Sequence, residues 1–305
     1  MSKIESLYNS RQTISLYLLR KTLDYAIFST DGYSLDTIRI PQDEGTQKSL
    51  EYLVLSENEQ FRVESQTFHS MIIFLADGSP FLSKFRCTPE KPCFRCPKCV
   101  LFGTSNTASP VNVTLPTMPS RVIYYPAVSI ESYQEAVQIE TVESPNESAK
   151  KTSFATQPVI RPNTHFASVI TLRHINYTEL VLFASVLAHP FRYGKQNGIM
   201  GEMANQLIGV SIGDEPVVMP AKLAEILRPE FFKRSTQDPY LNNWISSIYN
   251  LLSREISSKP ELYILQPEEM NKVYGFFHIS KPYSHQTEYI FEEAKAYAKS
   301  IQKTG

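Results

Sequence analysis

Apolar, β-branched and aromatic residues crowd two early stretches, 13–19 (T-I-S-L-Y-L-L) and 23–29 (L-D-Y-A-I-F-S), and both read as strands. Thr30-Asp31-Gly32 follows as a turn, with glycine supplying positive φ. A further β-rich region runs from Gln66 to Leu75 and ends at the turn signal Asp77-Gly78-Ser79-Pro80. Beyond Gly103 the pattern thins. Val111–Leu115 and Arg121–Tyr125 read as short strands, while 140–164 mixes Ser, Thr, Asn, Pro and charge with little periodicity. The whole of 104–164 is therefore expected to be an extended or partly mobile excursion from the core.

Regular patterning resumes at His165. Residues 166–172 (F-A-S-V-I-T-L) predict a strand, and Asn176-x-x-Glu179 is a capping box opening a helix over Tyr177–His189, stopped by Pro190. That helix is apolar on nearly every side and is expected to be buried. Gln206–Ile212 reads as a strand, and Pro220–Leu227 as a helix with proline at its first position. Tyr240–Ile256 carries apolar residues at helical spacing, Glu261–Leu265 reads as a strand, and Glu288–Gln302 as a C-terminal helix. The order predicts an α+β fold with helices on one face of a sheet, a ferredoxin-like arrangement being one option.

One stretch stands outside this pattern. All four cysteines, Cys87, Cys93, Cys96 and Cys99, fall within C-T-P-E-K-P-C-F-R-C-P-K-C, inserted after the second β-rich region. C-x5-C-x2-C-x2-C brings four soft ligands within reach of one ion, and a closed thiolate shell favours structural zinc. Disulfides and an iron–sulfur cluster remain as alternatives. A zinc deaminase is excluded on pattern: Pro92-Cys93-x-x-Cys96 matches half of that signature, but no histidine has glutamate two residues on.

The bulk numbers change the picture only in part. At 305 residues, with 42% hydrophobic and 11% aromatic residues, the chain is globular and can bury a large core. Thirty Lys and Arg against 31 Asp and Glu leave a net charge of −1, so a nucleic-acid binder of this balance must segregate its charge. It does. Five basic residues (Lys84, Arg86, Lys91, Arg95, Lys98) and one acid fall between positions 84 and 98, whereas 131–147 holds five acids and no Lys or Arg. The N-terminus lacks a signal-peptide pattern and no run of about 18 uncharged apolar residues occurs, so the chain is expected to be soluble, cytoplasmic and free of membrane.

Outside the cysteines, the loop R-Y-G-K-Q-N-G (192–198) is the best ligand-contacting candidate: Arg192 and Lys195 suit phosphates, Tyr193 offers a stacking face, and Gly194 and Gly198 admit close approach. A polar helix-stop loop is the plainer account. No nucleophile motif or phosphate-binding P-loop occurs. The D-G context of Asp31 reads as a turn ahead of a general base.

C-P-K-C-V-L-F-G (96–103) resembles the "C-x-x-C, aliphatic pair, aromatic-Gly" element of the RAMP superfamily of CRISPR-associated proteins. Leu19-Arg20, F-S-T-D-G (28–32), Arg39, Tyr124–Glu135, T-L-R-x-x-x-Y-T-E (171–179), R-Y-G (192–194) and G-x-M (201–203) leading into Q-L-I-G-V (206–210) are similar, in chain order, to the type I-D guide-binding backbone subunit, the Csc-two branch of the Cas-seven family.

That resemblance implies an RRM-like core (1–80 and 165–305), a zinc-binding insertion (81–103) and a thumb or finger excursion (104–164). It implies a non-catalytic subunit that binds crRNA without reading sequence, lines up head-to-tail with copies of itself and other type I-D subunits, and presents the guide to a target DNA strand. Carried onto this chain, Arg20, Arg39, Arg192, Tyr193 and Gly194 would face RNA, with Lys195, Gln196 and Asn197 adjacent. Separately, the local charge excess of Arg86, Lys91, Arg95 and Lys98 on the rim of the cysteine loop makes them candidate contacts to target DNA. Two other classes stay open: a metal-dependent ribonuclease subunit using Asp31, and a free-standing zinc-bearing RNA-binding module.

Overall fold

The computed structural model describes residues 11–31, 34–41, 49–77, 87–88, 91–104, 117–144, 153–189, 191–195, 198–234, 249–254, 263–264 and 292–300. In chain order the first half contains β1 (Gln12–Thr22), β2 (Thr37–Pro41), β3 (Ser49–Leu55), α1 (Glu57–Asp77), α2 (Pro97–Phe102), β4 (Val122–Tyr124), β5 (Ala127–Ser132) and α3 (Tyr133–Ala136). The second half adds β6 (Val137–Ser144), β7 (Ser153–Ile160), β8 (His165–Ile175), α4 (Tyr177–Leu187), β9 (Phe191–Arg192), β10 (Glu202–Ile212), α5 (Pro220–Arg234) and β11 (Tyr263–Ile264). Residues 249–254 and 292–300 are also helical.

β1 lies near the middle of an antiparallel sheet in the order β11-β10-β1-β8-β5-β3-β2, with β4 also on β8 and β9 on β10. Its alternate residues feed two different cores. Ile14, Leu16 and Leu18 pack with α1, α2 and α4 on one face, while Tyr17 and Leu19 pack with α5 and Leu252 on the other. Helices thus cover both faces, where the sequence predicts one. The reason is visible in β1 and β8: both bury side chains of either parity, so neither face can be left to water.

The sharpest departure is α1. Gln66–Leu75, expected as β, belongs to a 21-residue helix. Its buried stripe is Gln60, Glu64, Phe68 and Ile72, one residue every four, and two of the four are polar, which hides the helical period from a hydropathy reading. Gln60 is satisfied by donating to the Leu55 and Tyr125 carbonyls at 3.0 and 2.9 Å and accepting from Ser168 at 3.1 Å. Ser56 Oγ accepts the Glu59 N–H at 3.3 Å, and Glu57 and Glu59 favour the positive end of the helix dipole.

Residues 23–29 form no ladder. After β1 the chain bends, held by Asp24 Oδ1 accepting the Glu202 N–H at 2.7 Å, and meets β7 through a reciprocal Ala26–Ile160 bridge. The 104–164 stretch does not leave the core as a whole: β4 and β5 pair with β8 and bury Val122, Val128 and Ile130. The β6–β7 hairpin forms a sheet of its own. The expected strand at Val111–Leu115 lies outside the described residues, as do 240–248 and 255–256 of the expected Tyr240–Ile256 helix.

Local signals hold better. Asn176 Oδ1 accepts the Glu179 N–H at 2.9 Å and Glu179 Oε2 accepts the Asn176 N–H at 3.1 Å, so the capping box opens α4. α5 begins at Pro220 as expected but runs on to Arg234 through Pro229, because Leu223, Ala224, Leu227 and Phe231 keep packing on the sheet. The 292–300 helix docks at the head of α4. Arg11 and Arg121 both bond Glu179, and both lie over the Tyr297 ring at 4.3 and 4.2 Å.

Candidate nucleic-acid interface and metal centre

The cysteine segment folds back on itself. Phe94 takes positive φ between Cys93 and Cys96, Cys96 caps α2, and Cys96 Sγ accepts the Cys99 N–H at 3.5 Å. All four Sγ atoms lie within 4.8 Å of one another, with Cys87 to Cys99 at 3.4 Å and Cys96 to Cys87 at 3.7 Å, and all four thiols are free. Metal–sulfur bonds of about 2.3 Å at tetrahedral angles put sulfurs roughly 3.8 Å apart, so these four side chains can hold one metal ion. Hydrogen bonds from Cys87, then Cys96 and Cys99, hold the Cys93 thiol well below its ordinary range, so a thiolate forms readily within the cluster.

Behind the cysteines, α2 is locked to the core. Phe102 packs edge-on to Phe61 at 5.7 Å and against Phe68 at 5.2 Å and Phe183 at 6.0 Å. Gly103 has φ of +73°, and a Cβ there would lie 2.6 Å from the Met118 oxygen and the Ser120 nitrogen, so only glycine fits this exit.

Arg20 does not face outward. Its side chain is fully buried, and Nη1 donates to Glu64 Oε1 at 2.7 Å, Tyr193 Oη at 2.7 Å and Asn205 Oδ1 at 3.1 Å. Tyr193 and Tyr124 donate their hydroxyls to the two oxygens of Glu64, both at 2.8 Å. Burial alone would lower the Arg20 pKa, but the Glu64 carboxylate and Tyr193 more than offset it and raise it, so the guanidinium stays charged. Burial pushes the pKa values of Tyr124 and Tyr193 up, keeping both as donors.

Arg20 and Tyr193, both implied as RNA contacts, are therefore brought together, but inside the protein. The outward orientation expected of them is corrected accordingly: Arg20 has no exposed surface and, between a carboxylate and a tyrosine, ties the loop to α1. The loop's described residues 193–195 are each held by a backbone hydrogen bond. Tyr193 N–H donates to Gly201 O at 2.9 Å, Gly194 N–H to Glu59 Oε1 at 2.8 Å, and Lys195 N–H to Ile27 O at 2.9 Å. Gly194 has φ of +82°, and a Cβ would meet the Ile27 oxygen at 2.3 Å.

The remaining implied contacts scatter. Arg192 is about 39% exposed but shares its charge with Glu202 at 2.6 Å and Asp24 at 3.3 Å. Arg39 is exposed on edge strand β2, four strands from β1 and opposite Glu51 in the register. Lys91 and Arg95 are exposed and Lys98 half-buried beside the cysteines; Lys195 is half-buried. Arg86, Gln196 and Asn197 lie outside the described residues. Asp31 anchors its turn, its carboxylate accepting from Ser29 Oγ, the Ser34 N–H and Ser34 Oγ, each at 3.1 Å.

The sequence reading misses Glu64, Tyr124, Asn205 and Glu59, which organise the loop, and Arg62, which lines a cavity of about 270 Å³ with Gly194 and Lys195. The available signal is strand parity: Arg20 shares a face with Ile14, Leu16 and Leu18, and a cation there needs a buried carboxylate.

With this geometry in place, comparison with known proteins decides the family. The model of the Csc2 CRISPR family matches residues 2–273. The chain belongs to the Csc2 CRISPR family. Crystalline Csc2 from Thermofilum pendens shares the fold, with a TM-score of 0.60 and 13% identity over 99% of this chain and 93% of that one. A subunit of a CRISPR RNA-guided surveillance complex aligns with a TM-score of 0.48 and 12% identity over 92% of this chain and 99% of its own. No curated protein sequence matches. Among the described residues no helix is long and apolar enough to cross a membrane.

Proposed function

We propose that this chain is a non-catalytic backbone subunit of a type I-D CRISPR interference complex, acting in the cytoplasm. Copies bind crRNA head-to-tail, hold its backbone without reading sequence, and present its bases to a target DNA strand beside the other effector subunits. The observation that carries this reading is the Csc2 family match across nearly the whole chain.

The core supports it. β10-β1-β8-β5 are antiparallel neighbours, with α1 reached from β1 after the β2–β3 pair and α4 between β8 and β10 packed on the same face, an order that supports a ferredoxin-like, RRM-like core. The R-Y-G loop emerges from that core on a rigid support. The Cys87, Cys93, Cys96 and Cys99 cluster suits a structural Zn²⁺, whose part is to close the loop covalently around one point. The β6–β7 hairpin is the candidate thumb.

The ribonuclease alternative asks Asp31 to bind metal, and its carboxylate already accepts three hydrogen bonds within its own turn. The test is to incubate the purified protein with labelled guide RNA in Mg²⁺ or Mn²⁺ and resolve the products. Bound, full-length RNA supports the backbone reading; cleavage that Asp31→Ala abolishes would replace it with the ribonuclease.

A further inference from the structure

We propose that the cavity between α1 and the cysteine segment is a phosphate subsite for a single-stranded nucleic acid, an inference that rests on the nucleic-acid reading above. The cavity holds about 540 Å³, large enough for a nucleotide-sized group. Arg62, Ser65, Gln66, His69 and Ser70 line it from α1, and Cys87, Thr88, Lys98, Cys99 and Thr104 from the cysteine segment and its exit. Among the described residues no Asp or Glu lines it. Two cations, an amide, an imidazole and four hydroxyls around one hollow without a carboxylate form the donor set that a phosphodiester requires, with the Cys87 and Cys99 sulfurs at its metal-facing wall.

The cations are available. Lys98 has no ion-pair partner among the described residues. Arg62 donates Nε and Nη2 to Glu59 at 3.0 and 2.7 Å, while its Nη1 makes no hydrogen bond among the described residues. The adjoining cavity of about 270 Å³, which shares Arg62 and includes Lys195, is a useful contrast. Asp36 and Glu59 line that one, so it repels a second phosphate. The charge difference places the phosphate on the cysteine side of Arg62 and leaves the Gly194–Lys195 side for an uncharged part of the strand. Lys98 thereby gains a role distinct from that of the exposed Lys91 and Arg95: it points the metal-binding segment's charge inward, onto α1.

Guide RNA and target DNA offer the same phosphodiester chemistry, and the test separates them. Binding is measured by fluorescence anisotropy across a salt series on the full-length, metal-loaded protein. One arm titrates labelled guide RNA; the other titrates labelled complementary single-stranded DNA into the guide-loaded complex. The variants are Lys98→Ala and Gln66→Glu, the second on α1 and outside the cysteine segment, with Lys222→Ala on α5 as the control for general charge. Metal content is measured for each.

The expected result is weaker binding for both cavity variants, several-fold at moderate salt. For Lys98→Ala, the slope of log K against log salt becomes shallower by about 0.7, the value of one lost phosphate contact on a single strand. Loss in the RNA arm assigns the subsite to the guide, and loss confined to the DNA arm assigns it to the target strand. Unchanged affinity and slope in both arms, or a loss no greater than that of Lys222→Ala, overturns the subsite while leaving the proposed function intact. A wild-type protein that binds neither strand overturns the proposed function itself.

Discussion

The guanidinium of Arg20 and the hydroxyl of Tyr193 meet at 2.7 Å inside the protein, and Glu64 Oε1 bonds to both. A strand, a helix and the R-Y-G loop are thus tied at one charged point. An ion pair with no solvent access is held by geometry: each partner is costly without the other.

Removing one partner should therefore do far more damage than removing both. Glu64→Gln leaves the Arg20 charge buried beside two tyrosines and should cost about 3–5 kcal/mol in a urea titration. The Arg20→Met/Glu64→Leu double variant should recover most of that stability. It should still bind nucleic acid more weakly than wild type, because the Tyr193 hydroxyl loses its hydrogen bonds to Arg20 and Glu64, which help to orient the loop. A Glu64→Gln cost below about 1 kcal/mol contradicts the buried pair.

Phe102 is the anchor between the cysteine segment and the rest of the protein. Phe102→Ala removes contacts with Phe61, Phe68 and Phe183 together, and should destabilise by about 3–5 kcal/mol. Metal affinity should fall with it, since α2 carries Cys99 and is capped by Cys96. Zinc-competition titration with a chromophoric chelator reads this. Unchanged metal affinity in a folded Phe102→Ala protein shows that the cysteine segment organises itself.

Metal removal should be felt locally. Chelation, or Cys96→Ser, should raise hydrogen exchange across 91–104 and at the 292–300 helix, because Phe94, Val100 and Met118 form one cluster with Ala294 and Ala298. β1 and β8 should exchange as before. Uniform loss of protection through the sheet would falsify the view that this site is a local structural staple.

Alkaline titration tests the interior. Tyr17 is buried, bonded to Ser211 Oγ at 2.9 Å and accepting the Val217 N–H at 2.6 Å, and burial pushes its pKa up to about 12. The folded protein therefore keeps a proton that the unfolded chain releases near pH 10. Stability is fully present below pH 10 and falls between pH 10 and pH 12, by about 3 kcal/mol from this residue. Tyr124 and Tyr193, raised by burial as well, add in the same direction. Tyr17→Phe should be less stable at neutral pH, having lost its acceptor for Val217, yet show a shallower decline above pH 10. An equal decline in both proteins rules out Tyr17 as its source.

What could be read from the chain was what local chemistry decides. The Asn176/Glu179 capping box and the cysteine spacing each act within a few residues, and both survive in three dimensions. α1 was not legible because its buried stripe includes Gln60 and Glu64, polar residues whose partners are distant: Tyr125 and Ser168 for one, Arg20, Tyr124 and Tyr193 for the other. The same non-locality hid the role of Arg20. Its strand parity points inward, but the carboxylate that makes burial possible lies 44 residues away. The geometry of the R-Y-G loop was not legible, since Arg192 is neutralised by Asp24 and Glu202 and Tyr193 turns inside.

The most direct test of the central claim is light scattering on the purified protein mixed with single-stranded guide RNAs of increasing length. The backbone reading predicts complexes whose subunit number rises in steps with RNA length, each subunit carrying about one zinc and leaving the RNA intact. A single metal-loaded subunit on every RNA, whatever its length, contradicts it.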